Sequence, residues 1–201
     1  MDLVAALALV AISVVALAVF GIGVIVRLSR LLFAFPGVVV HEFAHATVCR
    51  LVGVPVHEVV YFRRGDPPGY VRHGQPGRYR ESFAISAAPF LFNTVLAVAA
   101  FLALVALVGA TESVRTASNE AIVTGVVLAW LGLSIGSHAF PSTGDASTLW
   151  TRSRAEWRAS PIVLLGVPVV AVIYVVNVLS WLYVDKLYAV GLLLLAFSAG
   201  G

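Results

Sequence analysis

Charge is scarce in this chain of 201 residues. Asp, Glu, Lys and Arg together make up 11% of it, against about 25% in soluble domains. Apolar residues reach 60% and the mean hydropathy is +0.98. Too little polar surface remains to coat a water-soluble globule of this size, so a soluble enzyme is excluded and most of the outer surface must face lipid. Cysteine is nearly absent: Cys49 stands alone, which rules out an internal disulfide framework and reads as a packed small apolar residue. A basic face aimed at nucleic acid is missing too. The net charge of +3 comes from arginines scattered through loops, so the pI near 9.4 reflects membrane topology rather than DNA binding. No internal repeat is present.

What the chain does have is long apolar runs. A bilayer core of about 30 Å needs roughly 20 helical residues, and runs of that order occur at Leu3 to Val26, Leu31 to Val54, Phe83 to Val108, Ala121 to Phe140 and Pro161 to Val184. A sixth, Leu187 to Ser198, is short and either spans with its flanks or re-enters. The expectation is an all-α polytopic membrane protein of about six transmembrane helices, forming one domain over 1–201. The first run has no basic residue before Arg27 and exceeds a signal-peptide core, so it reads as a retained helix. If the spans alternate, Arg27, Arg30, Arg115 and Lys186 fall on one side and the other nine basic residues on the opposite side. The positive-inside bias then places both termini, and the loops after the second and fourth spans, in the cytoplasm, although Arg27 and Arg30 beside the first helix argue the other way.

The loop at about 55–82 opens with strand-like alternation at Val56, Glu58, Val60 and Phe62. It turns through Arg63-Arg64-Gly65-Asp66-Pro67-Pro68-Gly69 and resumes at Tyr70 to His73, which predicts a short β-hairpin after the second helix.

Inside the second run lies His41-Glu42-Phe43-Ala44-His45, an H-E-x-x-H. Four helical residues turn through about 400° and rise about 6 Å, so both histidines stand on one face and can reach one metal ion. Zn2+ suits the pair, since it accepts nitrogen and oxygen ligands and leaves a position open for water, and Glu42 is placed to take a proton from that water. Chance would produce roughly 0.004 such motifs from this composition. The motif also sits near the middle of its span, where an ionisable residue is costly and by default functional.

Hydrolytic zinc sites have three protein ligands, so a third is needed. Asp2, Glu58, Asp66, Glu81, Glu112, Glu120, Glu156 and Asp185 fall in loops or at span edges where water solvates them. Asp145 differs, because Pro141 breaks the fourth helix and Gly144 frees the backbone next to it. Broken backbone at membrane depth is tolerated where it lines a wet cavity, which a hydrolase needs. His138 competes as third ligand, with a hydrogen bond across helices as its other role.

Over about residues 31–150 these features resemble the site-2 protease family of intramembrane zinc metalloproteases. The H-E-x-x-H on a transmembrane helix is one landmark. Ala87-Ala88-Pro89-Phe90-Leu91-Phe92-Asn93 is similar to the family's G-P-x-x-N, and the segment from His138 through Pro141 to Asp145 is similar to its N-x-x-P-x-x-x-x-D-G. Spacings depart in both: Asn93 follows Pro89 by four residues instead of three, Asp145 comes one residue early, Gly144 precedes it, and His138 replaces an asparagine. The pattern is that of a divergent branch, in which His138 takes the missing asparagine's role. The resemblance implies zinc held by His41, His45 and Asp145, with Glu42 as catalytic base. It also implies Asn93 close to the active site, where it donates to the substrate backbone or oxyanion or else bonds between helices. A cytoplasmic hairpin follows the motif helix in that family, and a free hairpin edge offers strand addition to an unwound substrate.

The expected function is therefore zinc-dependent cleavage of a membrane-spanning protein. The alternative is a non-proteolytic membrane protein that binds or passes metal through the same His and Asp residues, which has no need of Glu42. A zinc that only staples helices is a third reading, in which metal removal unfolds the protein.

Overall fold

The computed structural model describes residues 3–111, 117–158, 163–179 and 182–200. Asp2, Glu112, Arg115 and the first residues of the expected fifth span lie outside them. Among the described residues there are six helices and one two-stranded sheet: α1 (Leu3–Leu51), β1 (Val56–Val60), β2 (Tyr70–His73), α2 (Tyr79–Gly109), α3 (Asn119–Ser137), α4 (Thr143–Glu156), α5 (Val163–Leu179) and α6 (Val184–Gly200). Two compact units divide the chain, Met1–Phe33 and Ala34–Gly201.

The expected helical bundle with a hairpin is present, but the first two expected spans form the single helix α1, so the hairpin follows the first helix instead of the second. The reason is local. The interruption at Arg27-Leu28-Ser29-Arg30 contains neither Pro nor Gly, and Arg and Leu are good helix formers, so nothing stops the ladder. Among the described residues, three helices are long and apolar enough to cross a membrane, Ile12–Leu51, Tyr79–Gly109 and Asn119–Ser137, and a fourth span results if the bent pair α5 and α6 counts as one. In the first unit Ile12, Leu17, Phe20 and Ile25 are all exposed. Such a surface fits lipid as solvent.

In the second unit α2, α3 and α6 pack around Ala97, Phe101, Ile135, Leu192 and Ala196. Lipid tails supply no hydrophobic drive between helices, so close approach through small residues does the work. A Cβ on Gly136 would lie 3.0 Å from the Ala189 Cβ and 3.4 Å from the Ala97 Cβ, the point where the three helices meet. Gly132 faces the fully buried Phe101 ring, and a Cβ there would overlap it, with the ring Cδ1 at 2.6 Å. Gly132→Ala is therefore expected to lower thermal stability by about 1–3 kcal/mol, as overpacking does. Thermal unfolding in detergent followed by intrinsic fluorescence measures it, and an unchanged midpoint would contradict this packing.

A second cluster joins Tyr79, Leu149, Val163 and Val170, tying the start of α2 to α4 and α5. Cys49 is buried with Val54 and Ile85, as its expected apolar role requires. β1 pairs antiparallel with β2, Glu58 opposite Arg72 and Val60 opposite Tyr70, with a bulge between Val56 and Glu58. Across the hairpin the Tyr70 hydroxyl donates to Glu58 at 2.8 Å, and this carboxylate holds the phenol proton and raises the Tyr70 pKa above its ordinary value.

Candidate metal centre

The motif helix segment is fixed in place before any ligand is considered. Pro36 loosens the α1 ladder, and the next N–H, that of Gly37, donates to Ser134 Oγ at 3.0 Å. α3 ends at Ser137, three residues short of Pro141, with His138 as its C-cap. Helix ends leave carbonyls without an intrahelical partner. The His138 carbonyl accepts from His41 Nδ1 at 2.8 Å, and the Ile85 carbonyl accepts from His45 Nδ1 at 2.9 Å. A carbonyl can only accept, so both rings carry a proton on Nδ1, and in the neutral form each has its Nε2 lone pair free for a metal. A backbone carbonyl behind a ligating imidazole is the usual way to fix its tautomer and orientation.

Asp145 arrives from α4 by its own local logic. It is the third residue of that helix, and Ser142 N and Oγ donate to its Oδ2 at 2.8 and 2.6 Å while Asp145 N donates back to Ser142 Oγ at 3.2 Å. This capping box occupies one carboxylate oxygen and satisfies first-turn donors. The other, Oδ1, lies 3.5 Å from His45 Nε2. Among the described residues, His41, His45 and Asp145 form a group whose ligand atoms all lie within 4.8 Å of one another. Two imidazole nitrogens and a carboxylate oxygen are a donor set that could hold a metal ion, and their chemistry suits zinc with one position left open.

These three residues and Glu42 line one cavity of about 400 Å³, together with the hairpin residues Pro67 to Val71. Glu42 is buried. Its side chain packs under Gly69, where a Cβ would lie 2.7 Å from Glu42 Cγ and 2.9 Å from Val38 Cγ1. Only a residue without a side chain lets the loop sit this close. Arg63 holds the loop shut from within, its N–H donating to the Pro68 carbonyl at 2.7 Å and its Nε to the Pro67 carbonyl at 3.0 Å.

Asn93 lies apart from the cavity wall. It is fully buried, and its Nδ2 lies 3.1 Å from each of the Gly37, Ile135 and His138 carbonyls, which share its two protons, bracing α2 against α1 and the end of α3. It holds the same carbonyl that orients His41. Asn93→Ala is expected to cost about 1–3 kcal/mol by removing these buried hydrogen bonds between helices. Asn93→Asp should cost more, since a carboxylate would face three carbonyl oxygens. Denaturation midpoints of the two variants check this, and equal midpoints would contradict it.

His138 also lines the cavity, yet its ring Nδ1 donates to the Ser134 carbonyl at 2.8 Å and its ligand atoms do not join the converging group. Two wall residues escaped the sequence reading. Asp185, expected to be solvated at a span edge, is half-buried because the first turn of α6 faces the cavity; its Oδ1 has no hydrogen-bond partner among the described residues. Asn177 donates to the Pro141 carbonyl at 3.0 Å and ties the chain break to α5. A single amide inside an otherwise apolar helix was the available signal. Compared with known proteins, the chain matches no family model, no curated protein and no solved structure.

Proposed function

We propose that this chain is an intramembrane zinc endopeptidase of the site-2 protease type, acting on a membrane-spanning protein. The observation that carries the reading is the meeting of Asp145 with His41 and His45, a hundred residues apart in sequence, in a cavity that also contains Glu42. A zinc ion held by the three would supply Lewis acidity toward a carbonyl or water at its open position. The remaining chemistry belongs to the chain. Glu42 accepts a proton from the attacking water and passes it to the leaving amine. His138 and Ile85 carbonyls keep both imidazoles aligned, and Ser142 keeps Asp145 Oδ1 turned toward His45. β2 borders the cavity through Tyr70, Val71 and His73, so an unwound substrate segment can pair with the hairpin beside Glu42.

Orientation follows from the arginines. Two crossings, α2 and α3, suffice to put Arg63, Arg64, Arg72, Arg78 and Arg80 on the same side as Arg152, Arg154 and Arg158, and the positive-inside bias makes that side cytoplasmic.

Coexpression with a panel of tagged single-span membrane proteins tests the activity. Cleavage by the purified protein should stop on chelation and return with added zinc. Cleavage that survives complete removal of zinc would overturn the reading, and zinc binding without cleavage of any substrate would favour a metal-binding or transport role.

A further inference from the structure

A second cavity, of about 270 Å³, opens between the start of α2 and α4, away from the metal centre. Gln75, Pro76, Ser82, Ser147, Thr148, Thr151 and Arg152 line it. The geometry is set by two anchors. Tyr79 and Leu149 pack in one cluster, and the Tyr79 hydroxyl lies 3.1 Å from Ser153 Oγ, so α4 is pinned to the first turn of α2. Ser82 then stands one turn after Tyr79, and Thr148, Thr151 and Arg152 stand at helical spacing on the facing side of α4.

The unmet hydrogen bonds are what mark this cavity. Ser137 and Ser153 donate their hydroxyls to the carbonyl four residues back, the ordinary resting place of a helical serine. Ser82 does not: it is 2% exposed, and its Oγ has no partner among the described residues. Arg152 Nε is likewise buried without a partner among the described residues, while Nη2 faces Glu156 Oε1 at 3.1 Å. Leaving such donors bare costs the full desolvation of the group, so a buried orphan calls for an explanation. Ser147, Thr148 and Thr151 give their hydroxyl protons to the Gly144 and Ser147 carbonyls, so the donors left at this cleft are the Arg152 guanidinium and the Ser82 hydroxyl, a pair that suits phosphoryl oxygens.

The surroundings point to where the phosphoryl group comes from. α4 is polar, carries Arg152 and Arg154 with Arg158 just beyond, and exposes Trp150 and Trp157; the Arg158 guanidinium lies 5.0 Å from the Trp157 ring centroid. Exposed tryptophans among arginines are the composition of an element lying at headgroup depth, where anionic lipids gather near basic residues.

We propose that the cleft between α2 and α4 binds the phosphoryl group of an anionic phospholipid through Arg152 and Ser82. The proposal stands independently of zinc and of proteolysis. The test uses the full chain in maltoside micelles, with added phosphatidylglycerol, diacylglycerol of the same tails, or inorganic phosphate, read by thermal midpoint and by native mass spectrometry. Phosphatidylglycerol should bind and stabilise, diacylglycerol should not, and Arg152→Gln and Ser82→Ala should each weaken retention by about tenfold. Ser82→Ala removes a hydroxyl that has no protein partner, so its lipid-free stability should stay at the wild-type level, and Arg154→Gln, outside the cleft, should retain lipid. If inorganic phosphate alone stabilises the protein and displaces the lipid, the phosphoryl site stands with free phosphate as its occupant. Equal effects of phosphatidylglycerol and diacylglycerol, or equal losses in all three variants, would overturn it.

Discussion

Replacing Glu42 with Gln should leave the protein folded and holding about as much zinc as the wild type, while peptide cleavage falls by roughly 10²–10⁴-fold, the contribution of a positioned general base. The asymmetry follows from geometry. Glu42 is outside the group of converging ligand atoms, so the change removes no donor from the metal. Gln also keeps the volume that packs beneath Gly69 and against Val38, so the hairpin loop stays seated. What is lost is the ability to accept a proton. Zinc content by atomic emission and cleavage of a tagged membrane substrate are read on the same preparation. A Gln variant that still cuts at the wild-type rate would remove Glu42 from the mechanism, and with it the reason for preferring a peptidase to a metal-binding protein.

The second large effect concerns metal affinity. His45→Ala and Asp145→Ala should each weaken zinc binding by more than about 10²-fold, since even the partners behind a ligand are worth roughly 10–100-fold. Ser142→Ala belongs to that lesser class. It removes the 2.6 Å hydroxyl bond to Asp145 Oδ2, keeps the bond from the residue 142 N–H, and so loosens the carboxylate's hold toward His45 with no ligand removed. The expected order is therefore wild type tightest, Ser142→Ala intermediate and Asp145→Ala weakest, in competition with a chromogenic chelator. Equal affinity in Asp145→Ala and wild type would take the carboxylate out of the site. Because α4 is capped by Ser142 whether or not metal is bound, the fold should survive metal removal. A large fall in unfolding temperature without zinc would instead make the metal a structural staple.

Much of this arrangement could be read from the residues because it rests on local rules. The H-E-x-x-H needs only helical periodicity to bring His41 and His45 together, and the alternation of Val56 to Val60 against Tyr70 to His73 needs only a turn between them. Asp145 was legible through Pro141, which no helix carries through comfortably. Other features depend on contacts distant in sequence. Nothing in Arg27 to Arg30 announces whether the chain reverses there, and intrinsic helix propensity carried α1 through. The approach of Gly69 to Glu42 depends on where the hairpin docks, which periodicity does not encode. Asn93 carried an open choice between an interhelical bond and a catalytic role. Its three carbonyl acceptors come from α1 and from the unwinding of α3 at Ser137, a boundary placed three residues later by the proline alone. Asp185 lay at the edge of a short apolar run, where solvent was the reasonable expectation until the first turn of α6 was seen in the cavity wall.

X-ray absorption at the zinc edge of the metal-loaded, detergent-purified protein tests the central claim most directly. The arrangement of His41, His45 and Asp145 predicts one bound zinc with nitrogen and oxygen scatterers at about 2.0–2.1 Å, an outer-shell signature of two imidazoles and no sulfur. A sulfur shell at about 2.3 Å, or fewer than two imidazoles, would contradict it.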